Sequence, residues 1–195
     1  MRKRILLSFI CFLTGCSIFL TSGCFLLKLP SKNVAPTGKW DGDTFANTWS
    51  NLMVELPKTF TREKTSSFPG HTEEFFIIHE DGQSNISLMY VDLAYGRQQN
   101  STVEDYLNTV QEQLSHSENK DYIFADDFEN VVIAGEEFLM LHAEFSFKNF
   151  SLGKKAYQDG YARKFDNYII LFLVCYSDET KDATDQFISS ITKAE

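Results

Sequence analysis

The chain has 195 residues, of which 43% are apolar, 14% aromatic and 23% charged. This composition is typical of a single globular domain, and it excludes a disordered tail, a collagen-like fibre and a large multidomain assembly. The 18 Lys and Arg residues oppose 27 Asp and Glu, which gives a formal net charge of −9. A chain this acidic repels phosphate backbones, so the charge predicts no nucleic-acid partner.

The N-terminal segment predicts export from the cytoplasm. Basic residues occupy positions 2–4, and residues 5–23 are uncharged and largely apolar. This order is typical of a secretory signal peptide, which we assign to residues 1–23. The apolar stretch continues to Leu27, so an uncleaved membrane anchor of about 20 residues is the alternative. Either segment would place the rest of the chain outside the cytoplasm, and an uncleaved anchor would also hold it close to a membrane.

Two cysteines at the end of this segment follow small residues, in the sequences Leu-Thr-Gly-Cys16 and Leu-Thr-Ser-Gly-Cys24. The pattern resembles the lipobox of bacterial lipoproteins, in which a lipid is attached to the cysteine and the preceding segment is removed. Cys16 has leucine at the third preceding position, whereas Cys24 has the fuller apolar region before it. We predict lipidation with palmitate-type chains at one of the two, with Cys24 preferred. Two acyl chains give stable anchoring to the cell membrane.

Residues 24–43 contain the lipidated cysteine and then proline, glycine and polar residues, which is the composition of a flexible linker. Residues 44–195 then form a single predicted α/β domain. Of the four cysteines only Cys175 lies in this domain, so no disulfide can form within it. Cys175 sits in an apolar run, which predicts a buried small side chain rather than a reactive thiol.

The first half of the domain carries strand signals. An apolar run at 52–56 ends at Pro57, which cannot continue a ladder of backbone hydrogen bonds. Two β-rich runs at 72–79 and 85–95 flank the turn dipeptide Asp81-Gly82. This combination predicts an antiparallel hairpin.

A helix is predicted to follow these strands. Ser101 and Glu104 have the spacing of a capping box, in which a hydroxyl and a carboxylate bond reciprocally to free backbone amides. Apolar residues then recur at helical spacing and predict one buried stripe. The stripe consists of Val103, Tyr106, Leu107, Val110 and Leu114.

The second half of the domain predicts an antiparallel meander and a closing helix. The run 168–176 is apolar at nearly every position, so both its faces should be covered and it should be the central strand. The last helix should begin at Asp178, because acidic residues stabilise a helix N-terminus. Its buried stripe is Ala183, Phe187, Ile188 and Ile191. The runs of the meander are 131–134 and 137–147 around Gly135, and 156–165 and 168–176 around Asp166-Asn167.

Three short motifs give the domain a family resemblance. Gly38-Lys39-Trp40, Phe45-Ala46-Asn47 and a strand ending in Leu56-Pro57 resemble the PsbP-like and DcrB-like families, which include many small lipoproteins of Gram-positive bacteria. Where those families usually have Gly-Trp after the proline, this chain has Thr59-Phe60. The resemblance spans roughly residues 38–195 and implies an α+β fold, an antiparallel β-sheet with helices packed on it, as in a PsbP-like α/β sandwich. Its members share no catalytic set.

Two groups of residues were considered as metal ligands. His142 and Glu144 alternate onto one face of a strand, and His79 on another strand could complete a zinc site. No His-Glu-x-x-His spacing is present, so we predict no metal and no other cofactor. An acidic group is interpreted as a solvated rim rather than a calcium site. That group is Asp126, Asp127, Glu129, Glu136 and Glu137.

A further row of side chains predicts a binding surface. Tyr157, Tyr161 and Arg163 alternate onto one side of a strand together with Asp159 and Phe165. A mixture of tyrosine, arginine and acid is typical of protein interfaces. The alternative is cross-strand packing within the sheet.

No Gly-x-Ser-x-Gly elbow and no glycine-rich phosphate loop occurs in the sequence. We therefore predict a non-enzymatic interaction or accessory module, held by its lipid on the extracytoplasmic face of the cell membrane and able to bind a protein of the cell envelope. The alternative is a small extracytoplasmic ligand-binding protein or hydrolase with its site near residues 149–155, at the open end of the sheet.

Overall fold

The computed structural model describes residues 37–95, 101–148 and 155–194, so the predicted signal peptide and the predicted lipidation sites lie outside the described residues. Within these ranges the chain forms twelve strands and two helices, and neither helix is long and apolar enough to span a membrane. The strands are β1 (Lys39–Asp41), β2 (Thr44–Asn47), β3 (Leu52–Glu55), β4 (Phe60–Glu63), β5 (Ser67–Phe68), β6 (His71–His79), β7 (Asn85–Asp92), β8 (Lys120–Phe124), β9 (Glu129–Ile133), β10 (Glu136–Phe147), β11 (Ala156–Phe165) and β12 (Tyr168–Ser177), and the helices are α1 (Val103–Ser115) and α2 (Lys181–Ser190).

One large antiparallel sheet forms the centre of the domain. Its strand order is β4-β6-β7-β12-β11-β10-β8, while β5 adds to β6 and β9 adds to β10. The β12 strand lies in the middle of this order. Its Ile170 and Phe172 are buried on one face of the sheet, and its Ile169 and Leu171 are buried on the other. The prediction of a central strand covered on both faces is therefore confirmed.

Helix α1 covers one face of the large sheet with the predicted stripe, and Tyr106, Leu107, Val110 and Leu114 are buried there. The predicted capping box was wrong by one residue. Thr102 is the N-cap, its hydroxyl accepts from the Asp105 amide at 3.0 Å, and the Asp105 carboxylate accepts from the Thr102 amide at 2.9 Å. Ser101 and Glu104 have the same spacing, but only the Thr102 pair bonds reciprocally.

The opposite face is covered by a small sheet of order β1-β2-β3 and by α2. The small sheet also ties down the C-terminal end of the described chain, because Met53 and Thr192 exchange backbone hydrogen bonds of 2.8 and 3.0 Å. Helix α2 begins at Lys181 and not at the predicted Asp178. Ser177 and Thr180 close a turn first, with the Thr180 amide donating to the Ser177 carbonyl at 3.1 Å.

The meander from β9 to β12 is confirmed. Its tight turns use left-handed backbone conformations, with φ of 52° at Ala134, 72° at Gly135 and 54° at Asp166. The twelve-residue β10 strand pairs with β11 on one side. On its other side β9 pairs with the first half of β10 and β8 with the second half, so two short strands share one edge of the sheet.

The motifs of the N-terminal region are held together by Glu74, which sits at a bulge in β6. Its Oε2 accepts from the Gly38 amide at 2.6 Å and from the Asn47 side chain at 3.4 Å. A Cβ atom on Gly38 would lie 2.3 Å from the Phe45 ring, so glycine is required there by close packing. The end of the predicted linker, including all of β1, therefore belongs to the folded structure.

Glu74 makes the stability of the fold depend on pH. Burial raises the pKa of Glu74, although the bonds from Gly38 and Asn47 oppose this effect. The folded state therefore holds the proton more tightly than the unfolded state, and the contribution of Glu74 to stability falls as pH rises through its raised pKa. We expect Glu74→Gln to remove this loss, as measured by urea unfolding between pH 4 and 8. An unchanged pH profile would contradict the assignment, and Glu63→Gln on the exposed part of β4 is the matched control.

Candidate functional site

Strands β10, β11 and β12 bring a set of polar and aromatic side chains together at one end of the sheet. His142 lies opposite Asp159, and Tyr157 lies opposite Tyr176. Directly opposed residues of antiparallel strands point to the same face of a sheet, which here is the face that carries α2. We call the following residues the aromatic cluster: His142, Tyr157, Asp159, Tyr161 and Tyr176.

Asp159 is the centre of the aromatic cluster. Its side chain is only 6% exposed, and it accepts a hydrogen bond of 2.6 Å from His142 Nδ1. The Tyr161 hydroxyl donates to the other carboxylate oxygen at 3.3 Å. A buried carboxylate is stable only when such donors satisfy it, and here they come from β10 and β11.

The tyrosines around Asp159 are fixed as donors. Burial raises the pKa of Tyr161, and the negative charge of Asp159 and the hydrogen bond to it raise the pKa further. Burial, followed by the negative charge of Asp159, also raises the pKa of Tyr176. Both hydroxyls therefore keep their protons at neutral pH, and the Tyr161 hydroxyl continues to donate to the carboxylate.

The rings of the aromatic cluster form a stack across the three strands. Tyr157 lies between His142 and Tyr176, with ring centroids 5.9 and 5.2 Å apart and interplanar angles of 21° and 24°. The Tyr157 hydroxyl donates to Asp178 at 2.9 Å, and Lys181 Nζ lies 5.9 Å from the Tyr176 ring centroid. The stack therefore runs from β10 to the first turn of α2 and ends at a positive charge.

Ion pairs surround this stack. Lys155 Nζ lies 3.0 Å from Glu144 Oε2, and Lys181 Nζ lies 2.5 Å from Asp185 Oδ2. The hydrogen bond and the charge of Glu144 raise the pKa of Lys155. The side chain of His142 is 36% exposed, so its imidazole is reachable by a partner. The site therefore presents hydrogen-bonding groups and aromatic rings to a partner. The five residues of the aromatic cluster include no serine, threonine or cysteine that could act as a nucleophile.

The residues of the predicted binding surface differ in their burial. Tyr157 is half-buried at the end of the sheet, whereas Tyr161 is 7% exposed and belongs to the main core. Arg163 lies further along β11, where its Nη1 is 3.0 Å from Glu136 Oε2. Glu136 also binds Lys193 at 3.0 Å, so Arg163 is part of an ion-pair network that holds the C-terminal tail.

The residues considered as zinc ligands are not brought together. His79 lies on β6, and the strands β7, β12 and β11 separate it from His142 on β10. His79 instead contacts Asp81, with 3.4 Å between Nδ1 and Oδ1. Over residues 37–95, 101–148 and 155–194 no group of three or more His, Cys, Asp or Glu side chains is placed to hold a metal ion.

Sequence reasoning missed the pairing of His142 with Asp159. The signal that could have found it is the register of the β10–β11 hairpin, because directly opposed residues are the nearest cross-strand neighbours on one face. The prediction for Cys175 is confirmed, since this cysteine is buried and its Sγ lies 3.9 Å from Gln158 Oε1.

Comparison with known proteins identifies the fold. Neither a protein-family model nor a curated protein sequence matches the chain. Among solved structures, cyanobacterial PsbP (CyanoP) from Synechocystis sp. PCC 6803 superposes with a TM-score of 0.54, at 11% sequence identity, over 87% of this chain and 99% of that chain. The domain has a PsbP-like fold. The predicted PsbP-like α+β fold is therefore confirmed, and this identity supports a statement about fold alone.

Two further structures are similar to the PsbP-like domain at lower TM-scores. LpqN, involved in cell envelope biogenesis of Mycobacterium tuberculosis, is 12% identical with a TM-score of 0.46, over 74% of this chain and 83% of that chain. A protein from Bacteroides thetaiotaomicron VPI-5482 is 11% identical with a TM-score of 0.45, over 79% of this chain and 49% of that chain.

Proposed function

We propose that the protein is a lipoprotein on the extracytoplasmic face of the cell membrane, and that its PsbP-like domain is a non-enzymatic accessory module that binds a partner in the cell envelope. The observation that supports this most is the order of segments along the chain. A basic and then apolar N-terminal segment leads to a small-residue motif ending at Cys16 or Cys24, and a PsbP-like domain follows.

The aromatic cluster supports binding rather than catalysis. Its central carboxylate already accepts hydrogen bonds from His142 and Tyr161, and the ion pairs Lys155–Glu144 and Lys181–Asp185 lie beside it. A rigid set of tyrosine rings with a polar rim is typical of an interface core. In this proposal Tyr157 and His142 contact the partner, while Tyr161 and Arg163 hold the underlying strand in place.

A second candidate, a small ligand-binding protein or hydrolase, is supported by one contact. The 2.6 Å bond from His142 Nδ1 to a buried Asp159 orients the imidazole in the way that catalytic histidines are oriented. A partly exposed imidazole held in this way can take a proton from a bound water. Turnover of a panel of nitrophenyl esters by the wild-type protein, lost in His142→Gln, would favour this candidate, and no turnover would exclude it for esters.

Lipid attachment is tested by metabolic labelling with an alkyne analogue of palmitate. We expect the wild-type chain to be labelled, Cys24→Ala to lose the label, and Cys16→Ala to retain it. Cys11→Ala is the matched control, because Cys11 lies in the same apolar segment but directly follows two large residues, Phe9 and Ile10. Loss of the label in Cys16→Ala alone would move the site to Cys16. A wild-type chain without label would refute the lipoprotein proposal.

A further inference from the structure

The large sheet ends in an edge formed by β8 and β9. In the part of the chain that the structure describes, both strands pair only with β10. Their outer sides therefore present backbone groups that no neighbouring strand satisfies. Such an edge can accept another extended chain by continuing the ladder of backbone hydrogen bonds.

The two edges of the sheet are built differently. At the other edge, β4 has four residues with exposed charges at Arg62 and Glu63, and β5 has two residues. Short and charged strands of this kind resist pairing with other chains. The β8–β9 edge instead exposes Ile123 to 69% and Val132 to 68%.

Ile123 and Val132 lie on opposite faces of the β8–β9 edge. Ile123 pairs with Glu144, and Val132 pairs with Glu137, seven residues earlier on β10. An odd separation along a strand reverses the face. An incoming strand that followed the whole edge would therefore meet an apolar side chain on each of its faces.

In the described part of the chain, the exposed charges without an ion pair along the β8–β9 edge are all negative. Residues 121–147 contain seven Asp and Glu and no Lys or Arg. Three of these acids have basic partners, namely Asp121 with Lys148, Glu136 with Arg163 and Lys193, and Glu144 with Lys155. The other four are exposed and have no ion pair among the described residues, and they are Asp126, Asp127, Glu129 and Glu137.

This negative charge determines which kind of extended chain can bind at the edge. A second copy of the chain would place four unpaired carboxylates against the same four, and like charges at close range oppose association. A cationic segment would neutralise them. We propose that the β8–β9 edge binds an extended, lysine- or arginine-rich segment of an envelope protein by β-strand addition. This inference rests on the proposed function, because it names the partner chemistry of the accessory module.

The test uses the full-length chain in detergent micelles and two fluorescein-labelled peptides, Lys-Thr-Val-Lys-Val-Lys-Thr and the same peptide with glutamate in place of lysine. We expect the lysine peptide to bind, to bind more weakly as salt is added, and to protect β9 amides from hydrogen exchange. We expect the glutamate peptide not to bind. Equal binding of the two peptides, or protection outside β8 and β9, would overturn the proposal.

Substitutions then test whether peptide binding depends on the acids at the β8–β9 edge or on the overall negative charge of the protein. Neutralising Asp126→Asn, Asp127→Asn and Glu129→Gln together should weaken binding of the lysine peptide by about tenfold at low salt. The matched control neutralises three exposed acids away from this edge, at Glu63, Glu80 and Glu112, and should weaken it by less than about twofold.

Val132→Ala adds a variant without a charge change. It should also weaken the binding of the lysine peptide, because Val132 is exposed to the incoming strand. Equal losses in the two triple variants would overturn the proposal. Cross-linking of two copies through β9 would overturn it as well, because a second copy would then occupy the edge. Palmitate labelling is independent of these assays, so failure of the peptide experiment leaves the lipoprotein proposal separately testable.

Discussion

Replacing Tyr161 with alanine is expected to lower the free energy of unfolding by about 3 kcal/mol, the cost of truncating a buried aromatic side chain. Tyr161 is 7% exposed and lies opposite Met140 on one neighbouring strand and Phe172 on the other. Its hydroxyl also donates to the buried Asp159. Urea unfolding with linear extrapolation measures the change, and an unaltered slope would show that the unfolded state is the same.

Tyr157→Ala is the matched comparison, because Tyr157 is the same residue type on the same face of the same strand. Tyr157 is only half-buried, so we expect its loss to cost less than about 1 kcal/mol. Binding of the envelope partner should instead weaken, since the proposed surface includes the Tyr157 ring. Tyr161→Phe keeps the buried ring and removes only the hydroxyl, and should cost about 1 kcal/mol. Equal losses for both alanine variants would place Tyr157 in the core and contradict its role at the surface.

Much of the fold could be predicted because its strongest signals are local. The apolar run of β12 required cover on both faces, and the sheet places it centrally between β7 and β11. The turn residues Asp81-Gly82, Gly135 and Asp166 marked three hairpins that the structure contains. Helix α1 was found because its apolar positions repeat at helical spacing. Each of these signals operates within about ten residues, where the chain's own geometry decides the outcome.

The strands that sequence analysis missed depend on distant partners. Strand β8 begins with Lys120, and lysine is a residue type that sequence analysis expects to be exposed. In the structure Lys120 is 2% exposed, and its Nζ lies 4.0 Å from the centroid of the Phe145 ring. The sequence predicts a linker where β1 lies, because residues 24–43 are rich in proline, glycine and polar residues. Glu74, more than thirty residues away, fixes it through the Gly38 amide.

The candidate site shows the same limit. Alternation along β11 correctly placed Tyr157, Asp159 and Tyr161 on one face. Alternation alone does not indicate how deeply each side chain on that face is buried, however. It could not distinguish the buried Tyr161 from the half-buried Tyr157. That difference depends on which part of the face α2 and the small sheet cover. The contact between His142 and Asp159 depends on the register of β10 against β11, which alternation along a single strand does not give.

Replacing Asp159 with alanine is expected to lower the free energy of unfolding by about 3 kcal/mol, because the substitution leaves two donors without an acceptor. Tyr161 is only 7% exposed, so the loss of the acceptor for its hydroxyl is costly. His142 is 36% exposed and can be hydrated, so its share of the loss is smaller. Asp159→Asn keeps the volume and one acceptor oxygen and should cost about half as much. Urea unfolding at pH 7 measures both variants.

Asp121→Ala is the control for the loss of a carboxylate. Asp121 is 67% exposed and lies 3.5 Å from Lys148, so its removal should change the free energy of unfolding by less than about 0.5 kcal/mol. A double-mutant cycle of Asp159→Ala with Tyr161→Phe then tests the mechanism. Because both changes break the same hydrogen bond, their effects should add up to more than the double variant loses. Strict additivity would mean that Asp159 stabilises the sheet without acting through the Tyr161 hydroxyl.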